Sequence, residues 1–566
     1  MIPCTRLLAQ TVRKHQALRE RCSRSDQAWK VICVAIFLAC PIRWAFANPT
    51  ANPATGPICQ DHNPQSPDVP ECPVPGADGR TTILSENYPA MAVMISDGGG
   101  IKQFGLGRMV MGNINRSMGI DAQRDAVHQA WQALESQPDR PPQLILNVES
   151  GTLEALRQRI QAIEDPRRRA LWMRAITSVP PSRFSWSYPW QQDLLQAYVN
   201  PQTGRPVLRA LDGYFGGEYD GLTRQLMDAA KNTCGAEIGP SLGGDDLARV
   251  NGRAGGNVEG FPGGVCAVGE DHFSYGHYRR FANRACGGNT NLVEVDTQFL
   301  GTGHVDELVS IVPRGGAQNP PDPCAFSVVV ASPRLGLELL ERNPSQRAFQ
   351  YESDVGDAVM GRRFRELESW KMLCEQMVEA GVGSGTRGTR TRSQWSKPLV
   401  QNAHASDFER CARMSNASLM ETLRSPGRNF AGSWADFNRA LQGVQDRNRD
   451  GLVRAIKRRL PHCGEPRVIE VPALFVGRLL PNGQPAPHSA VSLFPGTTNA
   501  MLTGGRALVP DPANPAFRAH IQRAYTDAGV QFRFADSFGG HIIGGNLHCM
   551  TNVIRYCRPR AGTRSP

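Results

Sequence analysis

The stretch Gly301-Thr302-Gly303-His304-Val305-Asp306-Glu307-Leu308 sets a base and a carboxylate two residues apart, and two apolar runs follow it, Ile311-Val312-Pro313 and Val328-Val329-Val330-Ala331-Ser332-Pro333-Arg334. On an extended segment residues i and i+2 point to one face, so the spacing predicts that His304 and Asp306 share a pocket. Alone, such a pair is more often solvated or structural. It gains weight from Leu547-His548-Cys549-Met550-Thr551-Asn552 near the C-terminus, which adds a thiol and makes a Cys/His/Asp site of hydrolase-like chemistry available.

Outward from these motifs, short apolar runs suited to strands (91–95, 144–148, 292–295, 327–331, 468–471, 532–534) alternate with stretches of helical spacing (152–163, 366–380, 437–460, 516–528). The class is α/β or α+β. Residues 381–393, rich in Gly, Thr and Arg, read as a surface insertion within a single domain spanning 81–566. No tandem repeat is visible, although diverged structural repeats would leave little trace.

The N-terminus reads as an export signal: a basic stretch to Lys30, an apolar run from Val31 to Cys40, then Ala45-Phe46-Ala47 as a small-x-small cleavage site before Asn48. That run is too short to span a bilayer, and a secreted or periplasmic product is expected. Residues 1–47 carry 8 Lys/Arg and 2 Asp/Glu, so the net charge of +11 becomes +5 after cleavage, with 55 basic against 50 acidic groups. No basic block is interleaved with aromatics, which argues against nucleic acid as a partner. Residues 48–80 hold eight prolines and read as a linker or irregular arm, pinned by a Cys59–Cys72 bridge. Of the 15 cysteines, 11 follow the leader; ten can form five disulfides and leave one thiol free, with Cys549 the candidate. A Cys549–Cys557 bridge, or a reduced set, is the alternative.

The motifs around His304 and Cys549, with Val468-Ile469-Glu470-Val471-Pro472, Leu493-Phe494-Pro495, Asn499-Ala500-Met501-Leu502, Asp536-Ser537-Phe538 and His541-Ile542 between them, stand in the order of the catalytic region of peptidylarginine deiminases, which the chain resembles. Upstream, Pro189-Trp190-Gln191-Gln192-Asp193 resembles the family's Trp-x-Gln-Asp segment. The resemblance implies a pentein-type α/β propeller of ββαβ modules around a central active site. It also implies hydrolysis of arginine side chains in peptides or proteins to citrulline, with no organic cofactor. Cys549 would attack the guanidinium carbon, Asp193 and Asp306 would grip the cation, His304 would protonate the leaving ammonia and activate water, and Trp190 would pack on the alkyl stem. Arg209, in Val207-Leu208-Arg209-Ala210-Leu211-Asp212-Gly213, stands in for the family's arginine that contacts the substrate backbone.

Calcium is the cofactor the resemblance implies, with Gln192 and Glu259 (in Gly256-Asn257-Val258-Glu259) matching two of its ligands. Leu194 and Gln196 stand where the family has glutamates. Calcium needs several anionic oxygens, so a weak or dispensable requirement is expected. Asp446-Arg447-Asn448-Arg449-Asp450-Gly451 matches half an EF-hand loop, but Lys457 occupies the position of its bidentate Glu, which argues against a site there. Two rival readings stand beside the peptide deiminase: an enzyme acting on free arginine or agmatine, and a catalytically silent arginine-peptide binding module with a structural Cys549.

Overall fold

The strand β1 (Ala90–Ser96, Ala-Met-Ala-Val-Met-Ile-Ser) is apolar almost throughout and buried along its whole length, as a strand covered on both faces must be. A crossover through helix α1 (125–136) leads to β2 (Gln143–Asn147), which pairs parallel with β1. Helices α2 (Ser150–Gln161) and α3 (Pro166–Arg174) then bring in the edge strand β3 (Ile176–Ser178). Glu149 at the start of α2 caps nothing with its own side chain; Asp97, just past β1, accepts from Glu149 N and Thr152 Oγ1, each at 2.7 Å, and ties the helix to the strand. The computed structural model describes residues 57–73, 81–97, 125–179, 190–211, 220–242, 256–270, 275–288, 292–315, 322–350, 413–425 and 432–559, except 478, 504, 536, 538, 539 and 542–544.

The same connectivity recurs. β4 (Leu195–Val199) and β5 (Pro206–Ala210) form an antiparallel pair, and α4 (Asp220–Cys234) crosses to β6 (Glu237–Ile238), parallel with β5. β7 (Val258–Phe261), β8 (Val265–Gly269), α5 (Tyr275–Ala285) and β9 (Leu292–Val295) repeat it. So do β10 (Val309–Pro313) and β11 (Phe326–Ser332), from which α6 (Pro333–Arg342), α7 (Asn416–Arg424) and α8 (Trp434–Arg459) lead to β12 (Arg467–Pro472). After a small pair, β13 (Phe475–Val476) with β14 (Val491–Ser492), come β15 (Met501–Thr503), β16 (Arg506–Pro510), α9 (Pro515–Asp527) and β17 (Gln531–Ala535). A short helical turn, α10 (Leu547–Met550), leads to β18 (Thr551–Arg555), antiparallel to β1. The first module therefore takes its first strand from the end of the chain. Adjacent modules pack in circular order, β18 on β4, β7 against the turn before β10, β10 on β16 and β15 on β18. The fold is a five-module α/β propeller.

Local chemistry sets the strand-to-helix corners. Ser332 ends β11 and caps α6 by accepting from Leu335 N, with Pro333 at the first helical position. Asn514 does the same for α9 ahead of Pro515, and Ser433 with Asp436 forms a capping box on α8. The segment 446–451 lies inside α8, with Asp446 Oδ1 accepting from Arg449 and Gln442, so it is helix rather than an ion-binding loop.

The disulfides differ from the sequence expectation. Cys59 pairs with Cys234 of α4 and Cys72 with Cys557 just past β18; the other bridges are Cys266–Cys286 and Cys324–Cys463. The expected Cys59–Cys72 bridge is thus replaced by two bonds that tie the 57–73 segment to the propeller, where Cys59 and Val69 are buried in the main core. Cys557 being engaged, Cys549 is the free cysteine among the described residues. Cys374, Cys411, the 1–47 leader, the 366–380 helix and the 381–393 insertion lie outside the described residues. Among the described residues no helix is long and apolar enough to cross a membrane.

Candidate active site

The chain just ahead of the first strand of each module faces one centre. Asp193 precedes β4, Asn257 precedes β7, His304 and Asp306 precede β10, Asn499 precedes β15 and Cys549 precedes β18. Two of these lead-ins share one local structure. Gln191–Asp193 and Val305–Glu307 are each a 3-10 turn closed by a leucine in the αR region, Leu194 or Leu308. Each leucine carbonyl then accepts from the residue that follows the strand pairing, Leu211 N or Ala331 N. His304 therefore caps the turn in an extended conformation while Asp306 lies within it, so the pair does not share one continuous extended segment. Gly303, at φ 77°, supplies the left-handed residue that aims His304 inward.

Cys549, His304, Asp306 and Asp193 are all buried. The Cys549 thiol lies 3.1 Å from Asp306 Oδ2 and 3.7 Å from His304 Nδ1. His304 Nε2 is 3.9 Å from Asp193 Oδ1. The four residues expected to be catalytic thus converge. Asn499 holds the Cys549 turn: its Oδ1 accepts from His548 N at 2.9 Å and Cys549 N at 3.3 Å, and its Nδ2 is 3.1 Å from Cys549 Sγ. Burial pushes the thiol pKa well up, the charges of Asp306 and Glu307 push it further, and the Asn499 bond opposes them. Asp306 Oδ1 is buried without a hydrogen-bond partner, a carboxylate oxygen left for a cationic ligand.

Trp190 stands half-buried at the start of the 191–193 turn, its indole pressed on Gly545, where an added Cβ would come within 2.4 Å of the ring. Gly256 is equally confined, because a Cβ there would meet His304 Nδ1 at 2.7 Å, Gln192 Oε1 at 2.9 Å and Asp306 Oδ2 at 3.3 Å. Arg209 is placed differently from expectation. It lies on β5 opposite Gln196, donates to Thr81 Oγ1 at 2.8 Å and sits over the Tyr198 ring at 4.9 Å. These contacts account for its buried guanidinium as part of the module's packing.

The two expected calcium ligands surround a side chain instead. Gln192 Nε2 is 2.8 Å from His548 Nδ1, and Glu259 Oε1 is 3.4 Å from the same nitrogen. His548 also reaches Asp306 Oδ2 (3.0 Å from Nδ1) and Glu86 Oε1 (2.9 Å from Nε2). Calcium takes six to eight oxygens; here an imidazole fills the space between them, and Leu194 is buried in the apolar core. Around the imidazole Glu86 Oε1, Gln192 Oε1, Glu259 Oε1 and Asp306 Oδ1 are buried oxygens without a hydrogen-bond partner, and the ligand atoms of Glu259, Asp306 and His548 lie within 4.8 Å of one another. Sequence reasoning missed Glu86, which lies in no motif; a buried acidic residue between two polar ones, Ser85-Glu86-Asn87, leaves no signal of its own.

Residues 433–559, which include Asn499 and Cys549, match the family model described as protein-arginine deiminase. Protein-arginine deiminase type-3 of Rattus norvegicus is 24% identical over 271 residues, 47% of this chain and 29% of that protein. The type-4 protein of Homo sapiens is 24% identical over 270 residues, 46% and 29%. The chain thus matches under a third of the length of these curated relatives. Among solved structures, the agmatine deiminase of Enterococcus faecalis aligns over 84% of this chain and 96% of its own at 11% identity and TM-score 0.39. An agmatine deiminase of C. jejuni aligns over 85% and 97% at 10% identity and TM-score 0.40.

Proposed function

From the match of residues 433–559 to the protein-arginine deiminase family model we propose that the protein hydrolyses the guanidinium of arginine in peptides or proteins, giving citrulline and ammonia. The observation that carries this reading is the buried convergence of Cys549 Sγ, Asp306 Oδ2 at 3.1 Å and His304 Nδ1 at 3.7 Å, with an unpartnered carboxylate oxygen on Asp306. A planar cation with two edges of N–H donors suits two carboxylates, Asp306 and Asp193, better than any neutral ligand does.

The chemistry follows from the thiol's environment. Burial and, after it, the carboxylate charges hold the Cys549 pKa up; those charges are neutralised when a guanidinium enters between them, and the thiol proton passes to His304. The thiolate then bonds to the guanidinium carbon. As the C–N bond breaks, His304 returns that proton to the departing nitrogen, which leaves as ammonia, and the carbon stays on sulfur as an alkylthiouronium. Water, giving a proton to His304, adds to this carbon; the C–S bond then breaks as the new hydroxyl loses its proton to solvent, citrulline leaves, and His304 returns its proton to the sulfur, restoring the thiol. Holding the reacting atoms near van der Waals contact supplies much of the rate.

Ammonia release from a peptide with blocked arginine, compared with free arginine and agmatine, tests the substrate. The expected order is peptide first, by kcat/KM. A preference for the free compounds would replace this reading with the small-molecule one, which gains from one observation: Arg209, expected at the peptide backbone, is engaged by Thr81 and Tyr198. A second expected result concerns Gly256→Ala. Its methyl displaces His304 or Asp306, and because an error near 1 Å at the reacting atoms costs on the order of 10²-fold, kcat/KM for an arginine substrate should fall by about that factor. An unchanged rate would mean that His304 and Asp306 need not hold these positions.

A further inference from the structure

We infer that Cys549, His304 and Asp306 form an inhibitory site for a borderline-soft divalent cation such as Zn²⁺, bound where the arginine guanidinium would otherwise sit. The ligand atoms of these three side chains all lie within 4.8 Å of one another, and all three are buried. Tetrahedral zinc, with Zn–S about 2.3 Å and Zn–N or Zn–O about 2.0 Å, sets its ligands about 3.5 Å apart. Cys549 Sγ stands 3.7 Å from His304 Nδ1 and 3.1 Å from Asp306 Oδ2, so both spacings already approach an edge of that tetrahedron. The groups behind the ligands suit a metal as well. Asp193 Oδ1 lies 3.9 Å from His304 Nε2, the ring nitrogen turned away from the sulfur, and Asn499 Nδ2 donates to the sulfur at 3.1 Å. Outer partners of this kind orient metal ligands and tune their basicity.

Charge and donor softness select the ion. A thiolate and a carboxylate cancel the two charges of the cation and a neutral imidazole adds none, so the three ligands and the metal together bury no net charge. Binding replaces the thiol proton, which leaves to solvent, with the metal, and no electron moves. Sulfur and imidazole favour zinc over calcium, which takes six to eight oxygens. The other two clusters of metal-ligating side chains among the described residues lack this combination: in Cys324, His462 and Cys463 the sulfurs are bonded to each other, and Glu259, Asp306 and His548 bring no thiol. Three protein ligands leave the fourth position of the tetrahedron to water. The ion then occupies both the sulfur that would attack and the Asp306 carboxylate that would grip the substrate, so cation and guanidinium exclude each other. The inhibition rests on the deiminase reading, whereas the metal site itself does not.

The test uses the full chain with Cys549 reduced and the disulfides intact, titrated with Co²⁺ or Zn²⁺ chloride before any substrate is added. Co²⁺ should produce a thiolate-to-cobalt charge-transfer band in the near ultraviolet that saturates as a single site and is displaced by Zn²⁺, and Zn²⁺ should protect Cys549 from iodoacetamide. Cys549→Ser should abolish the band. His304→Ala should weaken zinc binding by more than the roughly 10- to 100-fold that loss of an outer partner costs, while His462→Ala, at the disulfide-bonded cluster, should change neither band nor affinity. In citrulline assays Zn²⁺ should raise KM for a blocked arginine peptide with kcat unchanged, and chelator should restore the original rate. A cobalt spectrum without a sulfur ligand, alkylation of Cys549 at the same rate with and without zinc, or inhibition that leaves KM unchanged would overturn the inference. A cobalt–thiolate band in a protein that releases no citrulline would sink the deiminase reading and leave the metal site standing.

Discussion

Cys549→Ser removes citrulline formation and leaves the fold in place. The substitution exchanges sulfur for oxygen within a turn that Asn499 holds through its backbone contacts to His548 and Cys549, which do not involve the side chain lost. The alcohol keeps a hydrogen-bonding group beside Asp306, but it is far harder to ionise than a thiol, and even the thiol is held well above its ordinary pKa here. Loss of a nucleophile that works as a unit with its base costs on the order of 10⁴-fold in kcat or more. The measurement is single-turnover citrulline release beside the thermal midpoint. Turnover near the wild-type rate in a folded variant would remove Cys549 from the chemistry and revive the binding-module alternative.

Asp306→Asn should produce two effects of opposite sign. Turnover falls, because the amide keeps the shape and loses the charge that grips the guanidinium. Hydrogen bonds to charged groups contribute about 1.5–3 kcal/mol each, so losing the charge on two of them lowers kcat/KM on the order of 10²- to 10⁴-fold. Thiol reactivity rises. Burial, the largest cause of the raised Cys549 pKa, persists, but the Asp306 charge that adds to it is gone, while that of Glu307 remains. Below the thiol pKa the thiolate fraction grows tenfold for each unit of decrease, so alkylation of Cys549 by iodoacetamide at neutral pH should quicken in the variant that turns over least. Because Asp306 also accepts from His548, the thermal midpoint must be followed alongside. A variant that loses both turnover and alkylation would show that Asp306 serves the fold rather than the thiol's charge state.

What could be read before the fold was known follows a pattern. Apolar runs that are buried on both faces, as in β1, β2 and β11, announce themselves by composition. The convergence of His304, Asp306 and Cys549 was foreshadowed because these residues are chemically conspicuous and lie in ordered motifs. The fivefold repeat was not. Trp190-Gln191-Gln192-Asp193-Leu194 and His304-Val305-Asp306-Glu307-Leu308 share a final leucine and little else, and their equivalence resides in backbone hydrogen bonds from Leu211 and Ala331 that no side chain records. The geometry of the His-x-Asp pair was misjudged for a related reason, since period-2 reasoning assumes a strand and a 3-10 turn can bring the same two side chains inward. Long-range pairing was illegible altogether: connectivity cannot be read from cysteine positions, and nothing near Arg209 in the chain points to Thr81, 128 residues away.

Glu86 illustrates the same limit at the site itself. It reaches His548 only because β1 and β18 close the ring, bringing the segment ahead of one strand against the turn ahead of the other. A buried carboxylate of this kind is recognised by its partner, and its partner is recognised only in three dimensions.

The most direct measurement is mass spectrometry of an arginine-containing peptide, blocked at both ends, after incubation with the native protein under conditions that keep Cys549 reduced and the disulfides intact. Conversion of the internal arginine to citrulline, with ammonia released in equal amount and none of either from Cys549→Ser, is the predicted result. An unchanged peptide, from a folded protein whose Cys549 still reacts with iodoacetamide, would contradict the assignment of this site to arginine deimination in peptides.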